Sequence, residues 1–453
     1  MRLYLSSVLI VLATLAVCYG DEPSSFRRDV APILLEHCVA CHNAKKAEGG
    51  YRIDTFDELS KPGDSGETPI KPPLQPLVKN EEAQASDLNV GELLRRIVSM
   101  DPSERMPSDG DPLSETQIVA IRSWLATGAT FDGERSNELL ALVVPPAVYA
   151  SPPEHYLAAV PVTALVFSPD GSQLLVGGYH EVTVWDVNTK QLIRRIQNVG
   201  QRTFSMVFLP DHRTLAVGCG EPGVSGEVRL IDFETATVKG VVGRTNDVVL
   251  DLAMKPGSNE LAIASADGLI RILNVDTLEV IRTISSHADW VTTIAWSDDG
   301  TRLVSGSRDK SSKVFDTSTG NLLATYPGHG AAVRGVCFVA DGKQVISTGS
   351  DQKLHRWEVE GAKNLAIVGM GGEAFKIARG DSFVLVPSAD GHVRRVELSN
   401  NAISQTQASS QDWALTVCIH SATNRSASGA INGEVRVWNT TDGTPLHAWV
   451  AKP

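Results

Sequence analysis

Hydrophobic and polar positions alternate along the C-terminal two thirds of the chain, and the pattern recurs at a nearly constant interval. A period of two residues is typical of β-strands with one buried face. In each repeat a strand such as Val182-Thr183-Val184 precedes an anchor residue, which Asp, Asn or Glu follows. The anchors are Trp185, Ile231, Leu273, Phe315, Trp357, Val396 and Trp438, at intervals of 46, 42, 42, 42, 39 and 42 residues. Residues 162–453 are therefore predicted to form seven similar all-β units.

Five of these repeats carry a polar residue six positions before the anchor, where a tight turn between strands is expected. These residues are Asp267, Asp309, Asp351, Asp390 and Asn432. On this evidence the region resembles WD40 repeats. In that family a histidine, a Ser or Thr, the turn Asp and a Trp form a hydrogen-bonded network inside one blade. The resemblance implies a seven-bladed β-propeller, whose closure removes open sheet edges.

Two repeats match the WD40 network closely. His329, Ser347, Asp351 and Trp357 match it in full. In the preceding repeat His287, Ser305 and Asp309 match it, with Phe315 in place of Trp. The first, second and sixth repeats depart from the pattern, so their blades are expected to be less regular. The 46-residue interval of the second repeat predicts a longer surface loop from Gly220 to Gly226. Because hydrogen bonding explains the matched residues, we expect the propeller to carry no cofactor.

The N-terminal part of the chain has helical patterning instead. Phe26, Val30, Ile33 and Leu34 share one helix face, and this helix is predicted to run straight into Cys38. Pro32 requires that the helix either starts near Asp29 or is kinked. The last helix of this region is marked by a capping box of Ser114 and Gln117, and Gly128 is placed to end it.

The predicted domains are a signal peptide at 1–20, a small helical domain at 21–133, a Pro-rich linker at 134–161 and the propeller at 162–453. Arg2, the apolar run Leu5–Val17 and the small residue Gly20 are typical of an export signal. The run is shorter than the ~20 residues of a transmembrane helix. We therefore expect a periplasmic or otherwise extracytoplasmic protein with no transmembrane segment after cleavage. An uncleaved anchor, or a lipoprotein acylated on Cys18, is the alternative.

The composition narrows the class of partner. The net charge of −12 over 453 residues disfavours nucleic acid and favours a basic protein partner. More of the negative charge falls before the linker than after it. Cys219, Cys337 and Cys418 are irregularly spaced in strand-like segments, so we expect small buried residues there, with no disulfide framework.

The candidate chemistry lies in Cys38-Val39-Ala40-Cys41-His42. Two thiols one helical turn apart can add to the two vinyl groups of a haem, and the following histidine can reach the iron from the same side. A structural zinc site would need a second pair of soft ligands, which the other cysteines do not form. A thioredoxin-like Cys-x-x-Cys belongs on a βαβ fold, whereas these flanks are helical. We predict one covalent haem c on Cys38 and Cys41, with His42 as an iron ligand.

The sixth iron ligand is predicted to be a methionine on an irregular segment. Met100 and Met106 are the candidates. Met106 is preferred because Met106-Pro107 lies in a loop before the last helix, whereas Met100 continues the helical stretch Leu93–Val98. A thioether ligand favours ferrous iron, raises the redox potential and suits electron transfer.

The N-terminal 110 residues resemble the planctomycete-type cytochrome c domain. The similarity rests on the segments starting at Phe26, Cys38, Arg105 and Leu113. It implies haem-binding roles for Cys38, Cys41, His42 and Met106. The fold class is then multidomain, with a small all-α cytochrome c-like domain followed by an all-β seven-bladed WD40 propeller.

Three functions are compatible with this organisation. The leading hypothesis is an electron-transfer cytochrome, not an enzyme, whose propeller loops dock a protein near the haem. The second is a redox enzyme with additional ligands in the propeller, but the remaining histidines fall in unrelated strand and loop contexts: His180, His212, His355, His392, His420 and His447. The third is a haem-based sensor that signals through the propeller.

Overall fold

A computed structural model describes residues 24–44, 46–71, 91–108, 110–146 and 148–453. The chain divides into two compact units, Met1–Asn137 and Glu138–Pro453. This division falls inside the segment predicted as a linker. The predicted signal peptide, with Cys18, lies outside the described residues. No helix in the described part of the chain has the length and apolarity needed to cross a membrane.

The N-terminal unit is built from short helices. A π-helical turn, Phe26–Val30, leads into α1 (Ala31–His37). A 3₁₀ turn (Glu48–Gly50) and α2 (Phe56–Leu59) follow, and then α3 (Glu92–Val98) and α4 (Glu115–Ala126).

The sequence left two possibilities for Pro32, a helix that starts near Asp29 or a kinked helix, and the structure combines them. Ser25 caps the π-helical turn, since its hydroxyl accepts a hydrogen bond of 3.0 Å from the backbone N–H of Arg28. The chain changes to α-helix at Ala31, so Pro32 lies in the first turn of α1, where its missing N–H leaves no helical bond broken. The helix ends at His37 and Cys38 is its C-cap, as the apolar pattern predicts.

Four aromatic rings form the core of this unit. Phe26 packs on Phe56 and Trp124, with ring centroids 4.8 and 5.2 Å apart, and Phe131 closes the cluster. The predicted capping box begins α4, because Ser114 N–H donates to Gln117 Oε1 (2.8 Å) and Gln117 N–H to Ser114 Oγ (3.3 Å). The capping box therefore defines where α4 begins.

The second unit begins with α5 (Leu140–Val143), which packs on the first sheet, and continues as six antiparallel sheets. The first, seven-stranded sheet contains β1 (Leu165–Phe167), β2 (Gln173–Gly177), β3 (Tyr179–Asp186), β4 (Leu192–Phe208), β5 (Thr214–Glu221), β6 (Ser225–Asp232) and β7 (Thr237–Thr245). The next two, each four-stranded, contain β8 (Val249–Met254), β9 (Glu260–Ser265), β10 (Leu269–Asn274) and β11 (Glu279–Ser285), then β12 (Val291–Trp296), β13 (Arg302–Ser307), β14 (Ser312–Asp316) and β15 (Leu322–Tyr326).

Three further four-stranded sheets complete the unit. They contain β16 (Val333–Val339), β17 (Gln344–Gly349), β18 (Lys353–Glu358) and β19 (Lys363–Gly369), then β20 (Ala378–Arg379), β21 (Phe383–Pro387), β22 (His392–Glu397) and β23 (Ile403–Ala408), and finally β24 (Ala414–His420), β25 (Arg425–Ala430), β26 (Glu434–Asn439) and β27 (Pro445–Val450).

All seven anchor residues occupy the same structural position. Each is the penultimate residue of its strand (β3, β6, β10, β14, β18, β22 or β26) and is buried. The pairing of that strand with the next one shifts register immediately before every anchor. A β-bulge of this kind changes the direction of a side chain. The regular interval between anchors in the sequence therefore corresponds to the same local backbone geometry in each repeat.

The repeats that depart from the WD40 pattern are also less regular in structure. β4 is 17 residues long and pairs with both β3 and β5, so the first two repeats share one sheet. The sixth repeat starts with β20, which has only two residues. The insertion in the second repeat was expected to form a loop from Gly220 to Gly226. That expectation is wrong, because Gly220 pairs with Gly226 and the insertion lengthens the β5–β6 hairpin.

The first and last repeats are in contact. Val162 N–H donates to Ala430 O at 3.1 Å, and Arg425 Nη2 donates to Asn188 Oδ1 at 2.9 Å. Leu165 and Val435 lie in one hydrophobic cluster that spans both repeats. The all-β region therefore curls until its two ends meet.

Candidate functional site

The Cys-x-x-Cys-His segment forms a turn directly after α1. The backbone N–H groups of Cys41 and His42 both donate to Cys38 O, at 3.2 and 3.1 Å. The two cysteines and the histidine therefore lie on one compact turn, at the end of a helix that begins in the aromatic core.

All four predicted haem-binding residues line one cavity of about 640 Å³. Cys38, Cys41 and His42 come from the turn after α1, and Met106 comes from the loop between α3 and α4. Its apolar lining includes Ile53, Leu93, Ile97, Pro107 and Leu113. A cavity of this size, with apolar walls and a few polar groups, is typical of cofactor sites.

A hydrogen bond orients the His42 imidazole. Its Nδ1 is 3.2 Å from the backbone oxygen of Tyr51, and a carbonyl oxygen can only accept, so Nδ1 carries the proton. The Nε2 lone pair is thereby left for a metal, the usual arrangement of histidine ligands. Tyr51 is held in turn, because its hydroxyl donates to Leu59 O at 2.9 Å.

The two thiols have different surroundings. Burial, with a smaller contribution from the nearby Cys41, raises the pKa of Cys38 to about 12. Cys41 lies 3.4 Å from the Lys46 ammonium. The Cys38 thiol is therefore protonated at neutral pH, the form that adds as S–H across a double bond.

The two candidate methionines differ sharply in position. Met106 lines the cavity, and its backbone N–H donates to Arg96 O at 3.1 Å, which ties the loop to the end of α3. Met100 is 92% exposed and lies outside the cavity lining. The sequence therefore distinguished the two methionines correctly by position: the loop residue Met106 lines the cavity, and Met100 does not.

His37 is a lining residue that the sequence analysis did not single out as a site residue. Its Nε2 is 2.9 Å from the amide nitrogen of Gln117. Because the Gln117 oxygen is occupied in the capping box, the amide nitrogen donates and His37 Nε2 accepts. Adjacency to Cys38 is the only sequence signal that could have found it.

The residues of the cavity fit a c-type haem. They supply two thiols, an imidazole with a free Nε2 lone pair, a thioether and apolar walls, which is the donor set that covalent haem requires. They do not form a compact metal cluster. Among the described residues, the group of three His, Cys, Asp or Glu donors that converges within 4.8 Å lies in the β unit instead.

The predicted WD40 networks are confirmed in two repeats. In the fifth, His329 Nδ1 is 3.0 Å from Asp351 Oδ2, its Nε2 is 2.8 Å from Ser347 Oγ, and Trp357 Nε1–H donates to Ser347 Oγ at 3.2 Å. In the fourth, His287 makes the same bonds to Asp309 (2.8 Å) and Ser305 (2.7 Å). Burial lowers the pKa of both histidines.

The three cysteines of the β unit are free thiols, and Cys219 and Cys337 are buried. Burial raises the pKa of each of the three, Cys418 included, to about 12. They are therefore inert at neutral pH. The expectation of small buried residues is confirmed for Cys219 and Cys337, whereas Cys418 is half-buried.

Comparison with known families assigns both parts of the chain. The planctomycete cytochrome C family matches residues 38–110. The WD domain, G-beta repeat family matches residues 150–186, 278–316 and 320–358. The first of these matches begins inside the predicted linker and covers a repeat that departs from the full network. No curated protein matches the chain. The chain therefore joins a planctomycete-type cytochrome c domain to WD40 repeats.

Proposed function

We propose that this protein is an extracytoplasmic electron-transfer cytochrome, not an enzyme. It would carry one covalent haem c on Cys38 and Cys41, with His42 and Met106 as the protein ligands of the iron. The observation that carries this proposal is that both thiols, the imidazole and the thioether line one cavity of about 640 Å³. When bound there, haem would supply one-electron redox chemistry at iron.

The residues of the chain have separate tasks in this proposal. The Cys38 and Cys41 thiols would hold the haem by thioether bonds. Tyr51 O keeps the proton of His42 on Nδ1, which leaves Nε2 for iron. The Met106 thioether would be the second protein ligand of the iron, and two protein ligands favour electron transfer over turnover of a small substrate.

We also propose that the all-β region is a closed seven-bladed propeller that binds proteins. The contacts between the first and last repeats and the seven equivalent anchors support closure. WD40 repeats are typical protein-interaction platforms, and their loops are free to vary because the scaffold is rigid. Such docking holds a redox partner near the haem at high effective concentration. The net charge of −12 favours a basic partner.

Covalent attachment is tested by peroxidase staining after denaturing electrophoresis of the full-length protein expressed with its export signal. The wild-type band should stain. Cys38→Ser combined with Cys41→Ser should not stain, whereas the matched control Cys418→Ser should. An unstained wild-type band, or a stained double variant, would overturn the haem assignment.

Electron transfer is tested with the reduced protein and a small basic redox protein as acceptor. The rate of reoxidation should fall as ionic strength rises, because screening weakens the attraction to an acidic surface. Turnover of nitrite or another small molecule, lost on substitution of histidines in the β unit, would support the enzyme alternative instead.

A further inference from the structure

The fifth repeat lacks the positively charged side chain that the third and sixth repeats place beside the turn Asp. The position two residues before the anchor holds Thr183, Arg229, Arg271, Lys313, His355, Arg394 and Arg436 in the seven repeats. In the third repeat Arg271 pairs with Asp267 at 2.8 Å, and in the sixth Arg394 pairs with Asp390. The fourth repeat has Lys313. In the fifth repeat the equivalent residue is His355, which has no permanent charge.

His355 lies against the WD40 network of its own repeat. Its Nε2 is 3.6 Å from Asp351 Oδ2, the same oxygen that lies 3.0 Å from His329 Nδ1. One donor atom from each of the three residues lies within 4.8 Å of the other two. Their side chains are 0% (His329), 9% (Asp351) and 2% (His355) exposed. The three donors therefore converge in the interior of the repeat.

Two atoms of this group have no hydrogen-bond partner among the described residues. They are His355 Nε2 and Asp351 Oδ1, and both are buried. An unsatisfied buried polar atom costs about 1–3 kcal/mol, so such atoms need a physical reason. The hydrogen bonds of the WD40 network account for Asp351 Oδ2 and for both nitrogens of His329, but not for these two atoms.

The surroundings prepare His355 to act as a ligand. The Tyr326 hydroxyl is 2.8 Å from His355 Nδ1. If Nδ1 carries the proton and donates it to Tyr326, Nε2 presents a lone pair to Asp351 and His329.

We propose that His329, Asp351 and His355 bind one Zn²⁺ inside the fifth repeat. Two imidazoles and a carboxylate are a donor set that zinc accepts, whereas Ca²⁺ and Mg²⁺ prefer oxygen ligands alone. Bonds of about 2.0–2.1 Å in a tetrahedral site place neighbouring donor atoms roughly 3.3 Å apart. Two of the three donor separations, 3.0 and 3.6 Å, bracket that value, and the third, between the two imidazole nitrogens, is within 4.8 Å.

Zinc binding changes the hydrogen bonding of His329. Its Nδ1 proton moves to Nε2, where Ser347 Oγ accepts it at the observed 2.8 Å, and Nδ1 becomes a ligand. Asp351 Oδ1, otherwise unpartnered, is available as a second carboxylate contact. The ion then supplies the positive charge that Arg271 and Arg394 supply in their repeats. This proposal differs from the expectation, drawn from the sequence, that the propeller carries no cofactor.

The test is zinc analysis of the full-length protein after equilibration with Zn²⁺ and removal of loose metal by gel filtration. Wild-type protein should hold one more zinc per chain than His355→Arg. Arginine is chosen because it restores the pair that Arg271 makes with Asp267, so the variant should fold. The surface variant His392→Gln is the matched control and should keep the wild-type ratio.

The comparison does not depend on haem. Any zinc held by the cysteines of the N-terminal unit contributes equally to wild type and variant, so it cancels in the difference. Circular dichroism checks that each variant is folded, and His355→Gln replaces His355→Arg if the arginine variant does not fold. Equal zinc content in wild type and the folded variant, including no zinc in either, would overturn the proposal.

Discussion

The two units of this protein use their residues in opposite ways. In the N-terminal unit one cavity gathers residues from distant parts of the chain, with His42 and Met106 on separate loops. In the β unit the same short-range arrangement of turn, strand and buried anchor occurs seven times. A single substitution should therefore abolish a property of the first unit, whereas in the second it should only weaken one repeat among seven. Four predictions test this contrast.

The largest effect is expected for Met106→Ala. Loss of the thioether should abolish the near-infrared band of methionine bound to ferric haem and lower the redox potential, because a harder ligand or water then stabilises ferric iron. Met100→Ala is the matched control and should leave both unchanged, since Met100 is 92% exposed. Absorption spectroscopy and potentiometry measure the outcome. Loss of the band in Met100→Ala, with Met106→Ala unchanged, would reverse the assignment.

In the β unit the largest effect is expected for Trp357→Ala. Trp357 is fully buried and stacks on Tyr326 with ring centroids 4.9 Å apart. Its removal should lower the free energy of unfolding by about 3–5 kcal/mol, measured by urea denaturation of the β unit. The haem spectrum should not change. A coincident loss of the haem spectrum would show that the contrast between the units is false.

The networks of the fourth and fifth repeats should differ in strength. Ser347 bonds both His329 and Trp357, whereas Ser305 bonds His287 and has Phe315 in place of Trp. Ser347→Ala leaves two buried polar groups unpaired and Ser305→Ala leaves one. We expect losses of about 2 and about 1 kcal/mol in the free energy of unfolding. Equal losses would mean that the Trp357 bond contributes little.

The smallest effect is expected from Asp390. Burial alone would raise its pKa, but hydrogen bonds from Arg394 and Ser388 outweigh burial and hold the pKa at about 2, below the ordinary 3.8. The resulting stabilisation is complete above about pH 3.8 and is lost as the pH falls through about 2. It should amount to about 1 kcal/mol or less, because solvent screens the pair.

Asp390→Asn should remove this part of the pH dependence. Thermal midpoints between pH 2 and 5 measure it, and Asp381→Asn, which changes an exposed carboxyl group of the same repeat, is the control. If the thermal midpoint of Asp390→Asn depends on pH as steeply as that of the wild type, other carboxylates account for the acid sensitivity.

The structural features that could be predicted from the sequence are formed by residues that lie close together along the chain. The capping box of Ser114 and Gln117 needs residues three apart, and the anchors need only a regular interval and an alternating strand, so both can be recognised in the sequence. The turn formed by Cys38 to His42 is local in the same sense. The hairpin around Gly220 was misjudged because a longer interval indicates added residues but not whether they pair.

The failures concern residues that meet only after folding. His355 was placed among unrelated histidines because it is 26 residues from His329, and only the pairing of β18 in its sheet brings the two imidazole centroids to 4.0 Å. His37 was passed over because its bond to Gln117 joins residues 80 positions apart.

The sequence by itself determined the strand repeat, the helix caps and the Cys-x-x-Cys-His spacing, because each depends on residues within one or two turns of the backbone. Only the tertiary structure decided that His42 and Met106 line one cavity, that the first and last repeats meet, and that Asp351 lies between two imidazoles. Those outcomes depend on how separate elements pack around a shared core. Packing is set by the shapes and burial of many side chains at once, which no local pattern encodes.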